Sequence, residues 1–502
     1  MHRLRTYFSV WTWSLLMIIH SDLFMCHQLR ADVKGVKITT DQTIDSSSLE
    51  TIVQQAIQRA QAKTNDEKAI AIYEYLHNTI FHWAYPVESA PQSVGPLKII
   101  NVYGWGLCGG QHTVLKALFE TAGWECRYVG WPGHTTIEVK YDNRWHYFDV
   151  FLKCYYWSKD KTHIVSQEEI AKDPSIVLDA MKENRAARQN LCCGDAPQDV
   201  IQGCQHRHIE GNAKGWASVT WRDQDYQPLV HLPLHSSLTL AWKGDPFGFA
   251  VSGKPPQHSC GIKDFIHDKV LGPRLEHYGP RNWSNGTFLY QVHFQPDQPF
   301  DYLEFQNAMV TQHGLTVQDP NKNNGKGVLI LQLPSAYPFV SVNISTDSNR
   351  KDDVIAVSTN RGKSWQLCRW EDISKLAKQK YHLSFKLEFQ GNIQNLQLKA
   401  QVEHNRNALP YLIPGKNKIT VSCNNNKLPD NSKLVVTYRY QESNIANPQK
   451  RSRWDGKGIQ YGPIKTVSRE VNRLPYKFEI DVGGNAPPKM IDLTRELKAV
   501  SK

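Results

Sequence analysis

Three residues whose types could together run acyl-transfer chemistry fall in one short stretch of the chain: Cys108, His134 and Asp149. Cys108 sits in Gly104-Trp105-Gly106-Leu107-Cys108-Gly109-Gly110. His134 opens His134-Thr135-Thr136-Ile137-Glu138-Val139, and Asp149 closes Arg144-Trp145-His146-Tyr147-Phe148-Asp149. A thiol, an imidazole and a carboxylate are the parts of an activated cysteine nucleophile, in which the carboxylate orients the imidazole and the imidazole takes the thiol proton. If they converge, the thiol can attack a carbonyl and carry the acyl group as a thioester.

The elements around them must do the converging. After a Gly-rich turn, Leu115, Leu118 and Ala122 recur at helical spacing on the side of Cys108, and Gly123 ends the run. Cys108 is therefore expected at a helix N-terminus, where the helix dipole favours a thiolate. Gly109 and Gly110 are poor helix residues, costing about 1 kcal/mol each against alanine. They leave no side chain to block a substrate. His134–Tyr141 and Arg144–Phe151 read as strands of a hairpin turned by Asp142-Asn143. A two-residue turn pairs Tyr141 with Arg144, so His134 faces Phe151 and Thr136 faces Asp149. His134 and Asp149 then become diagonal neighbours on one face. A three-residue loop would put them on opposite faces.

Gly-x-Cys opening a helix, then His-x-x-x-Glu-Val, then Trp-x-x-x-Asp resembles the transglutaminase-like cysteine enzymes. That superfamily includes transglutaminases, peptide N-glycanases and many bacterial cysteine peptidases. The resemblance covers roughly residues 50–160 and includes the helical stretch Asp66–Ile80. It implies that Cys108 is the nucleophile, His134 the general base and acid, and Asp149 the residue orienting His134. Many members carry an aromatic directly after the histidine, where this chain has Thr135-Thr136, so substrate preference does not transfer with the triad. Trp83, Tyr85, Tyr103 and Trp105 crowd the approach to Cys108. They are candidates to line a substrate groove, with core packing as the plainer reading. The backbone N–H of Cys108 is the expected oxyanion donor.

The chain has 502 residues, a net charge of +11 and a pI near 9.0. With 40% hydrophobic and 21% charged residues its composition is that of globular protein, and the length suggests several domains. The only compact basic cluster is Lys450-Arg451-Ser452-Arg453, and no nucleic-acid-binding motif accompanies it, so nucleic acid is not an expected partner. His2, Arg3 and Arg5 precede an apolar run from Tyr7 to Ile19, read as an export signal or N-terminal anchor over 1–30. The expected location is therefore secreted, periplasmic or at the cell surface. Ten cysteines suit an oxidising compartment. Cys192 or Cys193 with Cys204 would make a local disulfide, and Cys368 with Cys423 a longer one.

The fold expected is α+β, with a papain/transglutaminase-like N-terminal domain over 31–183, helical at 46–62, 66–80 and 166–183, the last broken briefly near Asp173-Pro174. An irregular cysteine-bearing connector follows over 184–281, with one β stretch at Ser236–Trp242. All-β sandwich domains then span 282–375 and 376–490. Ser358-Thr359-Asn360-Arg361-Gly362-Lys363-Ser364-Trp365 resembles the sialidase Asp-box, a structural hairpin motif in which the turn polar residue bonds backbone and the tryptophan packs beneath. On a strand, Cys204, His206 and His208 would share one face and form a weak candidate metal site, with a disulfide as the simpler reading.

The activity expected is hydrolysis or acyl transfer at peptide or amide bonds, with a protein or peptide substrate and no cofactor. The second reading is a non-catalytic envelope or surface binding protein with a degenerate enzyme domain. On either reading the β-sandwiches could grip cell-envelope polysaccharide. A fragment ending near residue 280 is expected to keep any hydrolytic activity.

Overall fold

The computed structural model describes residues 31–82, 86, 88, 94–180, 183, 196–209, 226–243, 267–268, 272–273, 283–296, 298–347, 354–446 and 459–500. Strand β1 (Val33–Thr40) leads into two helices. Helix α1 (Leu49–Ala60) starts at Ser48, whose side chain accepts from the Thr51 N–H, and it buries Ile52, Val53 and Ala56. Helix α2 (Asn65–Thr79) starts at a reciprocal cap between Thr64 and Glu67. Both pack on α3 (Cys108–Thr121), which buries Val114, Leu115, Leu118 and Phe119. The expected helix at 46–62 thus forms with shorter ends, and the one at 66–80 forms shifted by one residue.

Beside α3 lies a sheet of β2 (Glu125–Trp131), β3 (His134–Tyr141) and β4 (Arg144–Phe148). Asp142 and Asn143 both have positive φ, 48° and 59°, so the hairpin closes in two residues. Tyr141 pairs with Arg144 and Ile137 with Phe148, the register expected from the turn. The expected helical stretch over 166–183 is broken at Asp173-Pro174, as expected, into Gln167–Lys172 and Ser175–Leu178.

The expected connector is more regular than its sequence suggested. Helix α4 (Ala196–Gln205) leads into β5 (His208–Ile209), which completes the order β4-β3-β2-β5. Further on come β6 (Val230–Leu232) and β7 (Ser236–Ala241). The C-terminal region is mostly antiparallel β-sheet: β8 (Trp283–His293), β9 (Phe339–Thr346), β10 (Asn395–Asn405), β11 (Gly415–Ser422), β12 (Ser432–Ile445), β13 (Ile459–Val471), β14 (Tyr476–Val482) and β15 (Ala486–Ala499) are its long strands. A separate five-stranded sheet includes Gly327–Pro334, His382–Phe389 and Val354–Ser358.

Sheet topology departs from the expected partition in two ways. The seven-stranded sheet runs β9-β10-β8-β7-β15-β12-β13, so strands from both expected sandwich spans, and β7 from the expected connector, share one sheet. A cut at 375/376 would separate β9 from its neighbour β10. The N-terminal segment is also woven in: a sheet of order β14-β11-β1-β6 places β1 between strands from the connector and the C-terminal half. Asn405 strengthens this junction, donating through Nδ2 to the carbonyls of Thr79 (3.2 Å) and Ile100 (2.6 Å) in a buried setting. Strand propensity is readable locally, but the choice of partner depends on burial across distant segments, and that is why the sequence did not show it.

Candidate active site

Cys108 is the first residue of α3 and is half-buried. The free N–H groups of a helix first turn lie at that end, supplying both partial positive charge and donors. The fold therefore puts the thiol where its sequence setting placed it.

The hairpin delivers the other two residues. His134 Nε2 lies 2.7 Å from Asp149 Oδ2, with His134 at 9% and Asp149 at 0% exposure. A carboxylate only accepts, so Nε2 carries the proton and Nδ1 is the nitrogen that can take another. Nδ1 is buried and makes no fully formed hydrogen bond, while Cys108 is near enough to act on the charge of the same ring. Trp131 and Phe151 flank His134 with ring centroids at 5.2 Å each and fix its plane.

Asp149 is held from several sides. Its Oδ1 accepts from the Leu152 N–H at 2.7 Å, and its Oδ2 accepts from the Tyr147 hydroxyl at 3.0 Å. Its backbone exchanges hydrogen bonds with Cys154, at 2.9 and 3.1 Å. Burial alone would raise its pKa, but the charges and hydrogen bonds of His134 and His112 override this and hold it well below the usual carboxylate range. Burial alone would likewise lower the pKa of His134. The Asp149 charge, its hydrogen bond and Cys108 win, raising it from 6.5 to about 10.

His112 is the side chain of this site that the sequence reading missed. It is fully buried, with Nδ1 2.8 Å from the carbonyl of Cys108 and Nε2 3.3 Å from the Val150 amide. Nε2 is also 3.5 Å from Asp149 Oδ1, and the ring meets that of His134 edge-on at 5.5 Å. The signal was available: a histidine four residues after a helix-start cysteine lies on the cysteine's face. The ligand atoms of His112, His134 and Asp149 lie within 4.8 Å of one another, a spacing a metal ion could use. The same atoms are already engaged in the hydrogen bonds above, so the cluster reads as a hydrogen-bonded core.

Other candidates do not join the site. Trp83 and Tyr85 lie outside the described residues. Tyr103 and Trp105 are 0% and 2% exposed, so they do not line an open groove. The Tyr103 hydroxyl is used by the buried Glu88 carboxylate, which also pairs with Lys98 at 2.6 Å, and Trp105 packs edge-on against Tyr103. The expected strand through Cys204, His206 and His208 is instead the end of α4 and the start of β5. Cys204 points into the core, while His206 and His208 are exposed. Helical geometry at Cys204 breaks the two-residue alternation that would have grouped the three.

Cys204 is a free thiol; its proposed partners Cys192 and Cys193 lie outside the described residues. Cys368 and Cys423 are free as well, so that expected disulfide is not formed. The Cys423 thiol instead donates to Asn425 Oδ1 at 3.3 Å. In the Asp-box-like hairpin, Asn360 Oδ1 accepts from the Ser364 N–H at 2.9 Å, as the motif requires, but Trp365 stays 37% exposed and does not pack beneath.

A cavity of about 220 Å3 opens beside His134, between Trp131, Pro132 and Phe151 on one side and Asp199 and Gln202 of α4 on the other. Helix α4 approaches closely because Gly203 has no side chain; a Cβ there would lie 2.1 Å from the Trp131 ring. Val200, Ile201 and Cys204 at helical spacing were the signal for this helix.

The charge state of His134 is testable. Its folded-state pKa is raised, so its contribution to stability is complete below pH 6.5 and is lost as pH rises from 6.5 towards about 10. Histidine NMR should show one ring titrating near 10. In Asp149→Asn that resonance should fall well below its wild-type position, because burial is then opposed by Cys108 without the Asp149 charge. A wild-type His134 titrating at its ordinary value would contradict the ion-pair description.

Residues 50–150 match the transglutaminase-like superfamily core. No curated protein matches the chain. Two solved structures of the pilus backbone protein RrgB from Streptococcus pneumoniae align faintly. One shares 9% identity over 40% of this chain and 84% of its own, with a TM-score of 0.09. The other shares 10% identity over 54% of this chain and 56% of its own, with a TM-score of 0.10. Likenesses this faint bear on neither fold nor function. With the superfamily match covering Cys108, His134 and Asp149, residues 50–150 are a transglutaminase-like superfamily domain, joined to a β-rich C-terminal region.

Proposed function

We propose that this protein is an exported cysteine hydrolase or acyltransferase acting on peptide or amide bonds through a thioester on Cys108. Membership of the superfamily points to cysteine-dependent amide-bond chemistry. The observation that carries the finer reading is the 2.7 Å bond between His134 Nε2 and Asp149 Oδ2, with Cys108 acting on the same ring. That bond fixes the tautomer in which Nδ1 receives the thiol proton. The thiolate attacks the amide carbonyl, and the backbone N–H of Cys108 stabilises the oxyanion. The protonated ring then gives its Nδ1 proton to the departing amine. Water, or a primary amine, resolves the thioester and frees the thiol. Hydrolysis is the preferred outcome.

Export rests on the basic start and the apolar run Tyr7–Ile19. Among the described residues, no helix is long and apolar enough to cross a membrane. The β-rich region is proposed to hold the enzyme on a protein or polysaccharide of the cell envelope. The reading is tested with a small glutamine-type amide, with and without an added primary amine. Ammonia release that is lost as the thiol is alkylated is expected, with minor amine incorporation. A chain that turns over no amide, and whose Cys108 alkylates no faster than a model thiol, would instead be a binding protein with a degenerate domain.

A further inference from the structure

Arg495 is a buried cation with no matching anion among the described residues. It lies inside the seven-stranded sheet, opposite Val436 of β12 and Leu238 of β7, and is 5% exposed. Its Nε is sealed from solvent with no hydrogen-bond partner. Among the described residues no carboxylate lies within 4.0 Å of its guanidinium; its neighbours are two neutral hydroxyls, that of Tyr337, which accepts a hydrogen bond from it, and that of Tyr438. The Tyr438 hydroxyl donates to the Pro410 carbonyl at 3.1 Å, and like that of Tyr337 it is neutral and supplies no counter-charge. Proteins seldom bury an arginine without a carboxylate or a full set of acceptors, because desolvation is then uncompensated.

The same residue lines a cavity of about 60 Å3 at the junction of the two halves of the chain. Ser46 and Asn101 lie on its N-terminal side, and Tyr337 and Leu409 on its C-terminal side. One acid, Asp45, lines this space, but Lys37 pairs with it at 2.9 Å and the Ser47 N–H donates to it at 3.0 Å. The two charges of that pair cancel, so the wall keeps the single positive charge of Arg495. His404, its ring 5.8 Å from that of Tyr337, offers no negative charge: burial, then Arg495 and Arg406, hold its pKa at about 4.

Water in such a space could satisfy hydrogen bonds but not the charge, whereas an oxyanion does both. The guanidinium fork matches a carboxylate or phosphate edge, and the volume exceeds what one water needs. We propose that this cavity binds a small oxyanion, a carboxylate or a phosphate group, with Arg495 as its charge partner and Tyr337 as a neighbouring donor. Bound there, the anion touches both halves of the chain and fastens them together.

The test is thermal unfolding of the full chain in phosphate or acetate, with ionic strength held constant by chloride. The wild-type midpoint should rise by roughly 1–3 °C for each tenfold increase in anion concentration above its Kd. Arg495→Met should show no such dependence, and should unfold no lower than the anion-free wild type, because it removes an uncompensated charge. A response to phosphate alone assigns a phosphate ligand; a response to acetate as well assigns a carboxylate-accepting site. A wild-type midpoint indifferent to both anions, or an equal rise in Arg495→Met, overturns the proposal in favour of a hydrated cavity. Should Arg495→Met not fold, equilibrium dialysis of wild type with phosphate and with acetate decides. One saturable site, weakened by Tyr337→Phe, supports the proposal, and no saturable binding of either anion overturns it.

Discussion

Replacing Cys108 with alanine is expected to remove at least about four orders of magnitude of turnover on a small amide or thioester, the scale on which nucleophile removal acts in triad enzymes. Stability should change little. Cys108 is half-buried at the first position of α3, where alanine is accepted, and the helix is held by Val114, Leu115, Leu118 and Phe119. The double variant Cys108→Ala/His134→Ala should be no slower than Cys108→Ala alone, since the two side chains act as one unit. Additive losses in steady-state kinetics would mean that His134 serves some step that does not involve the thiol.

The second large effect concerns the whole chain. A fragment ending near residue 280 is expected to fail to fold, the reverse of what the sequence alone suggested. It would lose β11, which pairs with β1 from Lys37↔Ser422 to Thr40↔Ile419, and so expose one edge of β1. It would lose both neighbours of β7, namely β8 and β15. It would also lose Asn405, leaving the buried carbonyls of Thr79 and Ile100 without that donor, at a cost of roughly 1–3 kcal/mol each. Together with the exposed apolar faces, these losses are large against a typical stability of about 5–15 kcal/mol. Circular dichroism and thermal unfolding should show an aggregating chain without a cooperative transition. A soluble fragment with a sharp transition and full small-amide turnover would show that the two halves are separable after all.

The site was legible because its information is local. Asp142-Asn143 specifies a two-residue turn, the turn specifies the register, and the register sets His134 against Phe151 and brings Asp149 within reach. Helix α3 announced itself by its apolar spacing. His112 was equally local, one helical turn after Cys108 on the same face, but one histidine already completes the set of residue types a mechanism needs. Helix α4 was hidden by the Gly, Pro and Cys around it, although Val200, Ile201 and Cys204 carried its spacing. Sheet partnership was another matter. β1 shows alternation but nothing that names β11 as its neighbour, and β9 and β10 read as parts of different domains until their pairing is seen. Tyr103 and Trp105 stood open between core and groove for a related reason, and the plainer reading, core packing, is the one found: aromatic crowding before a nucleophile looks the same in sequence whether it lines a groove or packs against a buried Glu88–Lys98 pair.

The central claim is that Cys108 carries the acyl group. The most direct measurement is mass spectrometry of the intact protein, quenched in acid during turnover of an activated acyl donor and followed by peptide mapping. The account predicts a mass increase equal to the acyl group, located on the peptide containing Cys108, labile to hydroxylamine and absent in Cys108→Ala. Turnover of the donor with no such adduct under rapid quench, or an adduct that persists in Cys108→Ala, would contradict it.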